Sequence, residues 1–255
     1  MKISLIQTPL SWHDAQANQD YIQRKIETLD PTDLIVLPEM FTTGFTMHPQ
    51  QVSEPMSGPT VNWMQAMAKL KNAAITGSVV IAEDGNFYNR LLFVRPDGAV
   101  ETYDKRHLFT LAGENNAYTA GRDKLIVDYR GWKICLLICY DLRFPVFSRN
   151  VENYDLLVYV ANWPKPRIAA WDALLTARAI ENMAYTVGVN RVGQDANGHE
   201  YVGHSQIIDA LGQHVVAPDE NESVLSADLS RDNLEDVRAK FGFLNDRDRF
   251  KVLQD

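Results

Sequence analysis

A chain of 255 residues is long enough to bury a sizeable core, and 45% hydrophobic with 23% charged residues is the composition of a globular protein, not of a fibrous or disordered one. The net charge of −8 argues against a broad surface for nucleic acid or anionic membrane, while leaving room for a small basic pocket that takes an anionic metabolite. The two cysteines, Cys135 and Cys139, stand four residues apart on what reads as one strand, too far apart to bridge at a rise of about 3.3 Å per residue, so a reducing compartment is expected.

The opening segment, Met1 to Gln7, has no signal-peptide apolar core, and no stretch approaches membrane-spanning length. A cytoplasmic protein is the expectation. Ile3 to Gln7 reads as a first strand, and Tyr21, Ile22, Ile26 and Leu29 share one face of a helix over Asn18–Leu29. Asp33 to Glu39 is a second apolar strand, followed by a loop from Met40 to Gln51 and a helix over Gly58–Lys71. Ala74–Ala82 and Tyr88–Arg95 flank an Asp84-Gly85-Asn86 hairpin turn, and Val100–Tyr103 runs into Asp104-Lys105-Arg106-His107. Thr110 to Gly121 is polar and irregular. A hairpin around Arg130-Gly131 joins Leu125–Asp128 to Trp132–Ile138, and Asp155–Val160 is a buried strand. Arg167–Ala184 is the strongest helical pattern, followed by strands at Tyr185–Asn190, Ser205–Asp209, Val215–Val216 and Ser223–Leu229. From about Arg231 the chain reads as a charged tail whose Phe241, Phe243 and Phe250 are expected to dock on the body or on a partner subunit. Strands and helices alternate without a composition break or an internal repeat, which favours a single α/β domain with mixed sheets.

Three strand exits carry reactive side chains: Glu39 after Leu37-Pro38, Lys105 after Tyr103-Asp104, and Cys139 after Ile138. Taken singly, Glu39 reads as a loop cap, Lys105 as a solvated charge and Cys139 as a small core residue. Taken together, a carboxylate, an amine and a thiol suffice for acyl transfer. The carboxylate takes the thiol proton and later activates water, and the ammonium holds the oxyanion. The polar turn Tyr140-Asp141-Leu142-Arg143 after an apolar strand follows the logic of a nucleophile elbow.

Six ordered stretches carry a family resemblance: Leu37-Pro38-Glu39-Met40-Phe41, Tyr103 to Phe109, Ile138 to Pro145, Ala161-Asn162-Trp163-Pro164, Arg178 to Asn182, and Ser205 to Gly212. Over essentially its whole length the chain resembles the nitrilase (carbon–nitrogen hydrolase) superfamily, and Cys-Tyr-Asp-Leu-Arg-Phe-Pro with Ala-Asn-Trp-Pro resembles the omega-amidases within it. The resemblance implies a four-layer αββα sandwich, pairing of subunits into a homodimer, and no cofactor. It implies a Glu39–Lys105–Cys139 triad and a second glutamate, which falls on Glu114; a solvated loop acid is the other reading of that residue. The activity implied is ammonia release from the terminal amide of 2-oxoglutaramate-like 2-oxo acid or dicarboxylic acid monoamides, through a thioester on Cys139, with the backbone N–H of Tyr140 at the oxyanion. An aliphatic amide, nitrile or N-carbamoyl substrate is the alternative within the class, and a non-catalytic scaffold the alternative outside it.

Arg143 is either the cation for a substrate carboxylate or a structural arginine paired with an acid such as Asp141. Phe41 and Trp163, on loops after strand ends, are candidate pocket walls or core residues. Subunit contact is expected at the Arg167–Ala184 helix and at Phe144, Val146 and Phe147, and Arg178 with Glu181 reads as a helix-face ion pair. A Cys–His pair using His107 or His204 is the catalytic rival. No His/Cys/Asp cluster has metal-ligand spacing and no Gly-rich phosphate loop is present, so neither a metal nor a nucleotide is expected.

Overall fold

A computed structural model describes residues 1–252 of the chain. The first half contains β1 (Lys2–Gln7), α1 (Ala15–Glu27), β2 (Leu34–Val36), α2 (Pro59–Lys71), β3 (Ala74–Glu83), β4 (Asn86–Val94) and β5 (Val100–Asp104). The second continues through α3 (Glu114–Ala117), β6 (Leu125–Tyr129), β7 (Trp132–Ile138), α4 (Pro145–Ser148), β8 (Leu156–Ala161), α5 (Ile168–Asn182) and β9 (Tyr185–Asn190). Four short strands follow, β10 (Val192–Gln194), β11 (Glu200–Val202), β12 (Gln206–Ile208) and β13 (His214–Val216), then β14 (Ser223–Asp228) and α6 (Arg231–Phe241).

Two six-stranded sheets result, in the orders β14-β1-β2-β3-β4-β5 and β13-β12-β9-β8-β7-β6, with β10–β11 a separate hairpin. The strand period of two decides which way each side chain faces. In β1, Ile3 and Leu5 enter the core shared by the two sheets while Ile6 faces out, and in β2, Leu34 and Val36 point inward while Ile35 faces out. β4 repeats the alternation, with Leu91 and Phe93 inward and Leu92 and Val94 outward. Contacts between the sheets include the Phe93 and Tyr129 rings, 5.5 Å apart edge to face, and the Tyr129 hydroxyl accepting from the Ala74 amide at 3.1 Å.

The outward residues of the first sheet are covered by Ile22 and Ile26 of α1 and by Val61, Met64, Met67 and Ala68 of α2. The second sheet is covered by Trp171, Leu175 and Ala179 of α5 and by Leu234 of α6. Gly188 of β9 lies under α5, where an added Cβ would meet the Trp171 ring at 2.6 Å, so only glycine allows this helix to seat. These layers make the αββα sandwich. Among the described residues no helix is long and apolar enough to cross a membrane.

The tail is more ordered than its charge suggests. Ser230 caps α6 through its hydroxyl, which accepts from the Asn233 amide at 3.2 Å, and Arg238 reaches back to Asp155 at 2.8 Å. Its aromatic residues do not dock on the body: Phe241 and Phe243 stack on each other 5.3 Å apart, and with Phe250 remain exposed at 39%, 56% and 41%. Arg178 and Glu181 form the expected ion pair at 2.9 Å.

Candidate active site

β7 ends at Ile138, and Cys139 then takes a φ of +43°, a left-handed conformation that a residue with a Cβ adopts at a cost. The turn is fixed by Asp141, which is fully buried. Its Oδ2 accepts from the Ile138 amide at 2.9 Å and the Tyr103 hydroxyl at 2.8 Å, and its Oδ1 from the His107 amide at 3.1 Å. The fold therefore holds the strained conformation and leaves the thiol at the floor of a cavity.

Glu39, Lys105 and Glu114, each at most 1% exposed, converge beside that thiol. Lys105 Nζ donates to Glu39 Oε1 at 2.9 Å and to the two oxygens of Glu114 at 3.0 and 2.9 Å. The other Glu39 oxygen accepts from the Asn162 backbone amide at 2.8 Å, and Oε1 also accepts from Asn89 Nδ2 at 2.8 Å. Glu114 Oε2 accepts from the Phe109 amide at 2.6 Å, which ties the loop after β5 to the lysine. That loop is closed by Gly121, whose amide donates to the Lys105 carbonyl at 3.0 Å and whose Cα lies so close to Asp104 that an added Cβ would overlap its carbonyl. Burial of Glu114 excludes the solvated-acid reading.

The electrostatics favour a neutral thiol. Burial pushes the Cys139 pKa well above the ordinary thiol range, and the neighbouring Glu39 pushes it further against the pull of Lys105. Burial works against the Lys105 charge, but Glu114 and Glu39 outweigh it, so the amine is held as an ammonium. Glu114 is raised by burial and by the charge of Glu39, with Lys105 opposing. These directions favour the protonated thiol over a thiolate paired with Lys105.

Above Cys139 opens a cavity of about 410 Å³ lined by Lys105, Tyr140, Arg143, Asn162 and Trp163 among others. Arg143 lies on the cavity wall with its guanidinium 5.0 Å over the Trp163 ring, and among the described residues it makes no ion pair with Asp141. Trp163 is held as a wall by Asn190, whose Oδ1 accepts from its amide at 2.8 Å. Phe41 requires a correction: it lies in the core under α2, fully buried and with its ring 5.8 Å from that of Trp63, because the chain after Glu39 turns back beneath the first sheet. The pocket aromatic from this loop is instead Phe45, 5.2 Å from Lys105 Nζ. The two rival histidines are engaged elsewhere, His107 with Asp141 at 2.7 Å and His204 with Asp172 at 2.9 Å, and neither lines the cavity.

Asn89 is the site residue that the sequence reading missed. A polar side chain in the middle of an apolar strand was the available signal, since Asn is depleted in strand interiors. Asn162 lay inside a quoted motif without a role, and the β10–β11 hairpin brings Asp195 and Tyr201 to the cavity from a region with no apparent motif.

A thiol on a strained strand exit, beside a buried carboxylate that is itself paired with a buried lysine on an αββα sandwich, defines a class of cysteine-dependent carbon–nitrogen bond hydrolases. The chain belongs to the carbon–nitrogen hydrolase family, whose model matches residues 2–239, and it is an enzyme of the omega-amidase-like branch of the nitrilase superfamily. It is 48% identical over 253 residues to Omega-amidase YafV of Escherichia coli, across 99% of this chain and 98% of that protein. It is 31% identical over 219 residues to the 2-oxoglutaramate amidase of Bacillus subtilis, across 84% of each. A solved CN-hydrolase superfamily protein of Xanthomonas campestris, with an arsenic adduct in its active site, superposes with a TM-score of 0.97 at 46% identity, covering 99% of this chain and 98% of that one.

Proposed function

We propose that the chain releases ammonia from the terminal amide of a small 2-oxo acid or dicarboxylic acid monoamide of the 2-oxoglutaramate type, through a thioester on Cys139. The observation that carries this reading is the convergence of Cys139, Lys105 and Arg143 on one cavity, with Lys105 paired to the buried Glu39 at 2.9 Å. The activities named for the relatives in Escherichia coli and Bacillus subtilis support the choice of amide.

In this reading Cys139 Sγ attacks the amide carbon as Glu39 accepts the thiol proton. The oxyanion is met by Lys105 Nζ and the backbone N–H of Tyr140. Collapse breaks the C–N bond while Glu39 returns the proton to the leaving nitrogen, which departs as ammonia and leaves the acyl group on sulfur. Water then attacks the thioester, Glu39 takes its proton, and expulsion of the sulfur releases the acid and restores the thiol. Glu114 keeps Lys105 charged and fixed, and Arg143 meets the distal carboxylate over the face of Trp163.

The same reading takes the chain as a single hydrolase domain acting in the cytoplasm as a homodimer that pairs through α5 and the turn after Cys139. The exposed Val146 (57%) on α4, which follows that turn, and Ile180 (50%) on α5 support that pairing. Ammonia release from 2-oxoglutaramate, compared with glutamine, an aliphatic nitrile and an N-carbamoyl amino acid, tests the substrate class. Turnover centred on the 2-oxo acid amide is expected, and turnover centred on the nitrile or carbamoyl compound would move the enzyme to another branch of chemistry.

A further inference from the structure

We propose that Arg167 is a second recognition cation of this cavity and that, with Arg143, it selects a 2-oxo carboxylate over the 2-amino carboxylate of the same length. The inference rests on the function proposed above and assigns its specificity to a residue outside the quoted motifs.

Arg167 caps the N-terminal end of α5 and lines the same cavity as Cys139 and Arg143. The two guanidiniums are supported alike, Arg143 at 5.0 Å over Trp163 and Arg167 at 5.1 Å over Phe109. Both supporting rings are themselves fixed by hydrogen bonds. The Trp163 indole N–H donates to the Arg167 carbonyl at 2.8 Å, and the Phe109 amide donates to Glu114 at 2.6 Å. A flat ring beneath a guanidinium restricts it without using its donors.

What remains unused in this cavity is donor capacity. Among the described residues neither the Arg143 nor the Arg167 guanidinium has a protein acceptor or acidic partner, whereas the buried Arg90 pairs with Asp104 at 2.6 Å. The Lys105 charge is already met by Glu39 and Glu114. Asp195, the acidic side chain on the cavity wall, is occupied by the Tyr201 hydroxyl and by the amides of Asn197 and His199, each at 2.9 Å. Each guanidinium offers five N–H groups and no acceptor. A 2-oxo carboxylate presents carboxylate and ketone oxygens, all acceptors, and carries one negative charge. A 2-amino carboxylate replaces the ketone oxygen with an ammonium, a cationic donor set against two cationic donors in a partly desolvated space.

The test uses Arg167→Gln and Arg167→Lys with 2-oxoglutaramate, glutamine and butyramide as substrates. Arg167→Gln is expected to raise KM for 2-oxoglutaramate on the order of 10- to 100-fold, the worth of a charge-assisted hydrogen bond, with a smaller change in kcat. It is expected to lower kcat/KM for butyramide far less, and to narrow the preference for 2-oxoglutaramate over glutamine. Arg167→Lys, which keeps the charge and loses the fork, falls between. Equal losses on the charged and neutral amides, or an unchanged 2-oxo to 2-amino ratio, would overturn the assignment. Protection of Cys139 from iodoacetamide by 2-oxoglutarate and by glutamate gives a readout that needs no turnover. A shift in the protecting 2-oxoglutarate concentration in Arg167→Gln supports the inference and no shift overturns it. Failure of the wild type to hydrolyse 2-oxoglutaramate would instead count against the proposed function.

Discussion

Lys105 Nζ donates to both carboxylate oxygens of Glu114, at 3.0 and 2.9 Å, and so reaches Glu39 with one of its protons while the rest of its charge is already met. On the proposed mechanism the second glutamate acts through the lysine. Glu114→Gln is expected to keep the fold and lower kcat by about two orders of magnitude, since the ammonium loses half of its neutralisation and its fixed direction. Glu114→Ala also leaves a buried charge short of a partner, which costs about 3–5 kcal/mol of stability. Steady-state kinetics and thermal melts of both variants check this, and wild-type kcat in Glu114→Gln would remove Glu114 from the site.

Asn89 donates from one nitrogen to Glu39 at 2.8 Å and to Glu114 at 3.3 Å, bridging the two acids. Asn89→Leu is similar in size but donates nothing. A fall in kcat of about 10-fold or more is expected, the usual result of losing a hydrogen bond that orients a reacting group. Unchanged kcat would show that the backbone amide of Asn162 suffices to hold Glu39.

The φ of +43° at Cys139 makes a prediction that is independent of chemistry. Both Cys139→Ala and Cys139→Gly abolish turnover on the proposed mechanism, but glycine adopts this conformation without a Cβ penalty. Cys139→Gly is expected to be more stable than Cys139→Ala by about 1 kcal/mol, and denaturant melts measure the difference. The reverse order would mean that the elbow is not strained.

Stability should fall on the alkaline side. Burial holds Cys135 above the ordinary thiol value of 9.0, and burial and the charge of Asp141 hold Tyr103 above the ordinary 10.0. Below those values folded and unfolded chains are both protonated and no difference arises. Above them the unfolded chain releases protons that the fold retains, so unfolding becomes easier as pH rises. Lys105, held above its ordinary 10.5, acts in the same direction. Melting temperatures are expected to drop as pH climbs past about 9, and a rise over that interval would contradict the assignment.

Much of the site could be read from the chain because its reactive groups stand at strand ends, where an apolar run stops at a charged or thiol side chain. Glu39, Lys105 and Cys139 follow that rule, and the sheets deliver them to one place. Asn89 did not, since it acts from the interior of β4, where position along the strand says nothing about what lies opposite. Phe41 leaves the rim although it stands only two positions past Glu39, because Gly77 makes room for its ring against the sheet, with an added Cβ at 3.0 Å from it. The α6 helix was hidden by its charge: only Leu234 is buried, so the apolar face is too narrow to stand out from the solvated one. Fold class was carried by motif and alternation together, while the cavity wall from Asp195 to Tyr201 depends on a hairpin that belongs to neither sheet.

The central claim is that Cys139 carries the acyl group. Rapid acid quench of the enzyme turning over 2-oxoglutaramate, followed by peptide mass spectrometry, tests it most directly. The account predicts a mass increase equal to the acyl portion on the peptide containing Cys139, absent from the peptide containing Cys135 once separated by proteolysis and absent throughout in Cys139→Ala. Ammonia release that persists in Cys139→Ala, with no acyl adduct on the wild type, would contradict it.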